Sequence, residues 1–341
     1  MKIVIRGTNW IGDAVMSIPA LRYLRRIFPD AHISLHTRTW AEGLFQNADF
    51  IDEILPFEKE KNSLNTVRLE ARKWRESQFD LAVLFTNSFQ TALLCKLGKA
   101  KTRFGYRNEG RSFLLTNPIE KPQWKSERHE VYYYLNLVSE IEKHYFDQVS
   151  LDENEIDISL PISDELKLNA QHLLRDKGID LSKKTIAFGV GSTNSRAKRW
   201  GAERYAFLND KLQKDLDANI ILLGSRNELS IARQVTDSSM IKPIILTGDT
   251  SLTDAVGILS EIDLLISNDM GLAHIAPAVG TKTLTIFGPT NPKTTKPIGA
   301  EIVRNKVDCA PCMLRDCPID HPCMTGISPE NIFEIANDLI R

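Results

Sequence analysis

The sequence predicts an α/β protein of two doubly wound domains, each a parallel sheet covered by helices. Three observations predict this. Short apolar runs alternate with amphipathic helical stretches through the first half, and the same alternation restarts after an acidic, polar stretch at 147–164. The length, 341 residues, suits two cores, since domains run to roughly 100–200 residues each. Strand-helix alternation argues for βαβ units, because parallel strands need a long crossover.

The elements follow in order. The apolar run of the opening Met-Lys-Ile-Val-Ile-Arg-Gly is too short for a signal-peptide core and reads as a first strand at 2–6. Further strands are expected at 32–36, 53–56, 81–85 and 102–106, with helices at 21–28 and 64–76 and a closing helix at 130–142. After the connection, strands are expected at 185–190, 219–223, 243–246, 264–267 and 283–287. Helices follow at about 203–216, 227–238, 252–261 and 271–279. A last helix starts at Ser328-Pro329-Glu330, an N-cap, a first-turn proline and an acid at the positive end of the dipole. The expected domains are 1–155 and 156–325, with a C-terminal helix at 326–341 packing back across them. Two such halves facing a cleft suit a nucleotide ligand, which binds beyond the carboxyl ends of the strands.

Composition narrows the function. Apolar residues at 42% and charged residues at 26% describe an ordinary soluble globular chain. A formal net charge of −1 excludes a whole-chain electrostatic binder of nucleic acid or membrane. No run approaches the ~18 apolar residues of a membrane span, so a cytoplasmic protein is expected.

Chemistry is expected where strands run into helices. Gly7-Thr8-Asn9-Trp10-Ile11-Gly12-Asp13 follows strand one and lacks G-x-G-x-x-G, which argues against a dinucleotide oxidoreductase. Asp13 reads either as an N-cap or as an acid able to take a proton from an attacking hydroxyl. Pro19 breaks the helix register just beyond it. The loop from Gly189 to Trp200 collects small residues, hydroxyls and the cation Lys198. It reads as a phosphate cradle or as a solvated basic loop, and it has no Walker A spacing. Ser267-Asn268-Asp269-Met270-Gly271-Leu272-Ala273-His274 places a glycine and free helix amides where a diphosphate can bind. Its alternative is Asp269 as an N-cap with His274 as a satisfied, semi-buried histidine. Glu228, early in a helix after Gly224-Ser225, can accept from ribose hydroxyls or serve the helix dipole. Lys96, Lys99, Lys101, Arg103, Arg107 and Arg111, opposed only by Glu109, form a solvated face or an anionic-acceptor site. Asp215-Leu216-Asp217 spells a D-x-D, a pattern able to hold a metal, but falls at the end of an expected helix and reads as coincidence.

Together these motifs resemble the ADP-heptose:lipopolysaccharide heptosyltransferases, most closely the heptosyltransferase II branch. The matching segments are W-I-G-D-A-V-M-S-I-P-A-L (10–21), T-N-S-F-Q-T-A-L-L (86–94), R-F-G-Y-R (103–107), A-K-R-W (197–200), N-D-M-G-L-A-H-I-A-P-A-V-G (268–280) and F-G-P-T-N-P (287–292). The resemblance implies a GT-B fold and an inverting transfer of heptose from ADP-heptose to the lipopolysaccharide inner core, at the cytoplasmic membrane face. It implies Asp13 as catalytic base and Lys198 on the donor diphosphate. Thr193 then lies in the phosphate loop, Glu228 meets the ribose, and Gly12, Asp269, Met270, Gly271 and His274 belong to the donor side. Asn87, Arg107, Arg111 and His129 fall to the acceptor side. No cofactor is implied for catalysis.

Cys309, Cys312, Cys317 and Cys323, with His321 among them, are spaced C-x2-C-x4-C-x5-C. Some relatives carry similar clusters, and iron is bound by cysteines in autotransporter-modifying heptosyltransferases. Structural zinc or iron, reduced thiols in a packed loop, and disulfides all remain open, and the role is expected to be structural because the segment is remote in sequence from every donor junction. A protein acceptor, a sugar-nucleotide epimerase and a non-catalytic nucleotide-sugar module are the rival readings.

Overall fold

The computed structural model describes residues 1–58, 63–108, 110–193 and 195–341. Glu109 of the cationic stretch and Asn194 of the Gly189–Trp200 loop lie outside the described residues. The chain divides into two compact units, Met1–Ile158 and Ser159–Arg341.

The first unit holds β1 (Lys2–Arg6), β2 (His32–Arg38), β3 (Glu53–Phe57), β4 (Leu81–Leu84), β5 (Thr102–Tyr106) and β6 (Asn117–Ile119). They form one sheet in the order β3-β2-β1-β4-β5-β6, with every pairing parallel. Ile3, Val4 and Ile5 are fully buried, as a central strand covered on both faces requires. The winding reverses between β1 and β4, so the loops after these two strands diverge and leave a crevice at their carboxyl ends. Both loops carry motifs singled out above.

The second unit repeats this plan. It holds β7 (Thr185–Gly189), β8 (Asn219–Leu222), β9 (Ile244–Ile245), β10 (Leu264–Asn268), β11 (Lys282–Phe287) and β12 (Glu301–Arg304). The order is β12-β11-β10-β7-β8-β9, again all parallel, and the switch falls between β7 and β10. The loops after β7 and β10 are those that carry Lys198 and Asp269.

Ten strands stand where the apolar runs place them. The two unexpected strands, β6 and β12, are edge strands. β6 contains Pro118, which an edge tolerates because one side of the strand needs no donor. A helix at Asp164–Asp176, also unexpected, starts where the connection ends, with Ser163 accepting from the Leu166 amide at 3.3 Å. The helix Pro329–Ile340 is capped by Ser328 as its sequence predicts, and it packs within the second unit on the helix Ala202–Leu216.

Candidate active site

In the first unit, β1 delivers the chain to a loop at Gly7 and then to a helix, Ile11–Met16. Trp10 is the N-cap and makes no side-chain capping bond. Asp13 is the third residue of this helix, so the capping alternative is corrected. Its carboxylate lies in the first turn, where the dipole favours negative charge. Gly12 precedes it in the same turn. The break expected at Pro19 is real: Ser17 joins two short helices, donating its hydroxyl to the Ala14 carbonyl at 2.8 Å. Burial first, and then the nearby Asp13 carboxylate, push the Tyr134 hydroxyl well above its ordinary pKa. Beneath the loop, the buried Arg6 lies 4.5 Å over the Phe57 ring and bonds the Gly7 carbonyl and Asn9 Oδ1. Arg6 therefore holds the backbone leading to Asp13.

The second loop of this crevice follows β4. Asn87 accepts from Arg111 at 3.1 Å and donates to the Tyr133 hydroxyl at 3.1 Å. Arg111 is fully buried and also donates to the carbonyls of Tyr106, Thr86 and Ser88. Its guanidinium shapes the loop from inside. Arg107 is half-exposed and paired with Glu120. His129 caps the helix Glu130–Phe146, accepting from the Val131 amide at 3.3 Å. The structure thus joins Asn87 to Arg111 and places Arg107 and His129 in other local roles. The cationic stretch is similarly dispersed: Lys101 pairs with Asp80, and Arg103 binds the carbonyls of Ala100 and Leu114.

In the second unit, the two loops at the switch point are stitched together. Lys198 Nζ lies 2.8 Å from Asp269 Oδ2, and the buried Asp269 also accepts from the Thr290 hydroxyl at 2.7 Å. Met270, in extended conformation, is the N-cap of the helix Gly271–Ala278 and makes no side-chain capping bond. Asp269 is therefore not the cap, and the amides opening at Gly271 stay available to an anion. His274 is buried within this helix. Thr193 is exposed on the loop after β7. The fully buried Asn268 donates to the Val190 and Gly191 carbonyls at 2.8 and 3.1 Å and accepts from the Trp200 amide and the Tyr205 hydroxyl.

Glu228 is 2% exposed. Oε2 accepts from the Ser225 amide and hydroxyl at 2.8 and 2.9 Å, completing a capping box. Oε1 is buried with no hydrogen-bond partner. Such an orphan acceptor is costly unless something fills it. A Cβ on Gly191 would lie 2.1 Å from that oxygen, so only glycine admits this carboxylate. Glu228 therefore serves the helix start with one oxygen, while the other is buried beside Gly191 without a hydrogen-bond partner.

Sequence reasoning quoted Asn268 and Thr290 within motifs but gave neither a role. Their position beside Asp269 and in the F-G-P-T turn was the only signal, because their partners lie on other strands.

The cysteines correct an expectation. All five are free thiols. Burial first, then the other three thiols of the cluster, raise the Cys323 pKa, so the four share one neighbourhood. Yet among the described residues no three His, Cys, Asp or Glu side chains are grouped to hold a metal ion. Cys323 packs in the core cluster with Met324, while Cys309 and Cys312 face solvent. The segment is also not remote in space from the donor junctions: the Ala197 amide donates to the Arg315 carbonyl at 2.9 Å. Asp215 and Asp217 each pair with a lysine, Lys211 and Lys183, at 2.7 Å.

Two parallel sheets wound in the same order are the architecture of GT-B glycosyltransferases. The solved structure of E. coli ADP-heptose LPS heptosyltransferase II superimposes with a TM-score of 0.86 at 24% identity, covering 100% of this chain and 98% of that one. The family model for glycosyltransferase family 9 (heptosyltransferase) matches residues 67–322, and the chain belongs to that family. It is a glycosyltransferase, and the epimerase and non-catalytic readings fall away. The lipooligosaccharide heptosyltransferase 2 of Campylobacter jejuni subsp. jejuni serotype O:2 is 28% identical over 347 residues, covering 100% of this chain and 99% of that protein. The lipopolysaccharide heptosyltransferase 2 of Escherichia coli K12 is 25% identical over 355 residues, with 100% and 99% covered. Among the described residues no helix is long and apolar enough to cross a membrane.

Proposed function

We propose that this enzyme transfers heptose from ADP-L-glycero-β-D-manno-heptose to the heptose/Kdo inner core of lipopolysaccharide, with inversion at the anomeric carbon. The second unit binds the donor. The observation that carries this is the grouping at its switch point: Lys198 beside Asp269, at the open end of the helix Gly271–Ala278. Glu228 fits the same reading, because its orphan Oε1 matches a ribose hydroxyl. The names borne by the full-length relatives support the acceptor. The first unit contributes the acceptor side, and the enzyme works in the cytoplasm against the membrane face that presents the lipid.

The reaction is a single displacement. The acceptor hydroxyl oxygen bonds to C1 of the heptose as the bond from C1 to the β-phosphate oxygen breaks. Asp13 receives the hydroxyl proton. The electron pair leaves on ADP, where Lys198 and the amides at Gly271 stabilise the added charge, as a bound divalent ion does in other transferases. Inner-core lipid and protein substrates, each incubated with ADP-heptose and read by mass spectrometry, test the acceptor. Heptose on the lipid alone is expected. Heptose on protein alone overturns the lipid assignment, and no transfer from ADP-heptose to either overturns the donor.

A further inference from the structure

We infer that the cysteine-rich segment is a positioning clasp for the donor-phosphate site, with His321 as its principal contact. This rests on the reading of Lys198 as the diphosphate cation.

The segment grips the loop before Lys198 at several points. The Ser195 hydroxyl donates to the carbonyls of Leu314 and Arg315 at 3.3 and 3.2 Å. The Ala197 amide donates to the Arg315 carbonyl at 2.9 Å. The Ala197 carbonyl accepts from His321 Nε2. A carbonyl can only accept, so Nε2 carries the proton. Both polar groups of Ala197, immediately before Lys198, are therefore held by the segment. Outside them, Arg196 pairs with Asp316 at 2.6 Å.

The same segment reaches the far side of the site. The Met313 amide donates to the Pro289 carbonyl at 2.9 Å. Pro289 adjoins Thr290, which donates to Asp269, which pairs with Lys198. These contacts close a ring through segment, loop, lysine, aspartate and turn. Lys198 has a long, flexible stem whose ordering costs entropy. A fixed Ala197 peptide anchors that stem at the distance the pair requires. His321 makes its contact from left-handed backbone, φ 56°, a conformation that costs a side-chain-bearing residue energy and persists where surrounding contacts hold it.

The test uses the full-length enzyme with ADP as probe. His321→Ala and His321→Gln meet the same left-handed backbone cost, but the glutamine amide can replace Nε2–H. His321→Ala should weaken ADP binding about fivefold, the equivalent of one net hydrogen bond, and raise the donor KM in step. His321→Gln should restore most of both. In a Lys198→Ala background, His321→Ala should add little, because the histidine acts through the lysine. Equal ADP affinity for the alanine and glutamine variants, or a full fivefold loss without Lys198, overturns the clasp. If His321→Ala does not fold, Asp316→Asn loosens an exposed limb of the same clasp. It should weaken ADP binding when Lys198 is present and not when it is absent, and no difference overturns the proposal. Lys198→Ala alone separates the two ideas. Unchanged ADP affinity there refutes the diphosphate reading itself, whereas a loss there with none in His321→Ala refutes only the clasp.

Discussion

Lys198 and Asp269 meet at 2.8 Å across the switch point of the second sheet, from loops 71 residues apart. The lysine is a quarter exposed and the aspartate nearly buried, so one end of the pair opens to a ligand while the other is fixed by Thr290. On the proposed reading, an incoming diphosphate would compete with Asp269 for an ammonium already in place.

Lys198→Ala should weaken ADP binding and slow transfer together, by about 10-fold or more in kcat/KM, since charge-assisted bonds contribute about 1.5–3 kcal/mol. The change also leaves a buried aspartate short of its cation, so the melting temperature should fall. Titration calorimetry with ADP, steady-state kinetics and a thermal melt read all three. Unchanged affinity and rate would return Lys198 to the solvated-loop reading.

Asp13→Asn should cut turnover by about 10²–10⁴-fold, the usual contribution of a general base, and leave ADP affinity nearly intact. Asp13 is not the helix cap, so the melting temperature should shift only by what the dipole interaction contributes. Near-normal turnover would remove the base assignment.

Glu228→Gln keeps an oxygen for the Ser225 capping box but turns the orphan acceptor Oε1 into a donor. ADP affinity should drop by about an order of magnitude, the scale of one hydrogen bond to a charged group, while pyrophosphate affinity stays unchanged. Equal losses for both ligands would show the ribose assignment to be wrong. Gly191→Ala should damage the same contact and cost about 1–3 kcal/mol of stability through overpacking.

His36 predicts an acid limb in stability. Burial lowers its pKa to about 4, and its Nε2 donates to Glu70 at 2.9 Å while Nδ1 is buried unpaired. The folded value lies below the ordinary 6.5, so the unfolded chain binds the extra proton first. Stability is therefore full above about pH 6.5 and is lost as pH falls towards 4. Glu70 is held below its usual range: burial opposes this, but the bonds from His36 and Lys73 prevail, which extends the loss to lower pH. His36→Gln should flatten the dependence of melting temperature on pH between 6.5 and 4. An unchanged slope would assign the acid limb to other groups.

On the proposed mechanism, transfer should persist in EDTA, because Lys198 and the helix amides would take the part a divalent ion plays in other transferases. An absolute requirement for Mg²⁺ or Mn²⁺ would overturn this and return attention to Asp215 and Asp217.

Local chemistry determined much of this protein from its sequence. Apolar runs such as 264–267 must be strands buried on both faces, and glycine-bearing junctions after them must be turns into helices. Those two rules located both sheets and the loops carrying Asp13, Lys198, Glu228 and Asp269. Of the edge strands, β3 and β9 were legible as apolar runs, whereas β6 is three residues around a proline and β12 is an Ile-Val pair between two charged residues, too little apolar sequence to read as a strand. Tertiary structure alone decided that Asp13 and Asp269 are not caps and that Arg111 turns inward. It also set Cys323 in the core beside Met324 and laid His321 against Ala197, 124 residues earlier. The reason is that sheet order brings distant loops together. A side chain's partner across such a crevice is fixed by the winding of the whole sheet, which no local window of sequence contains.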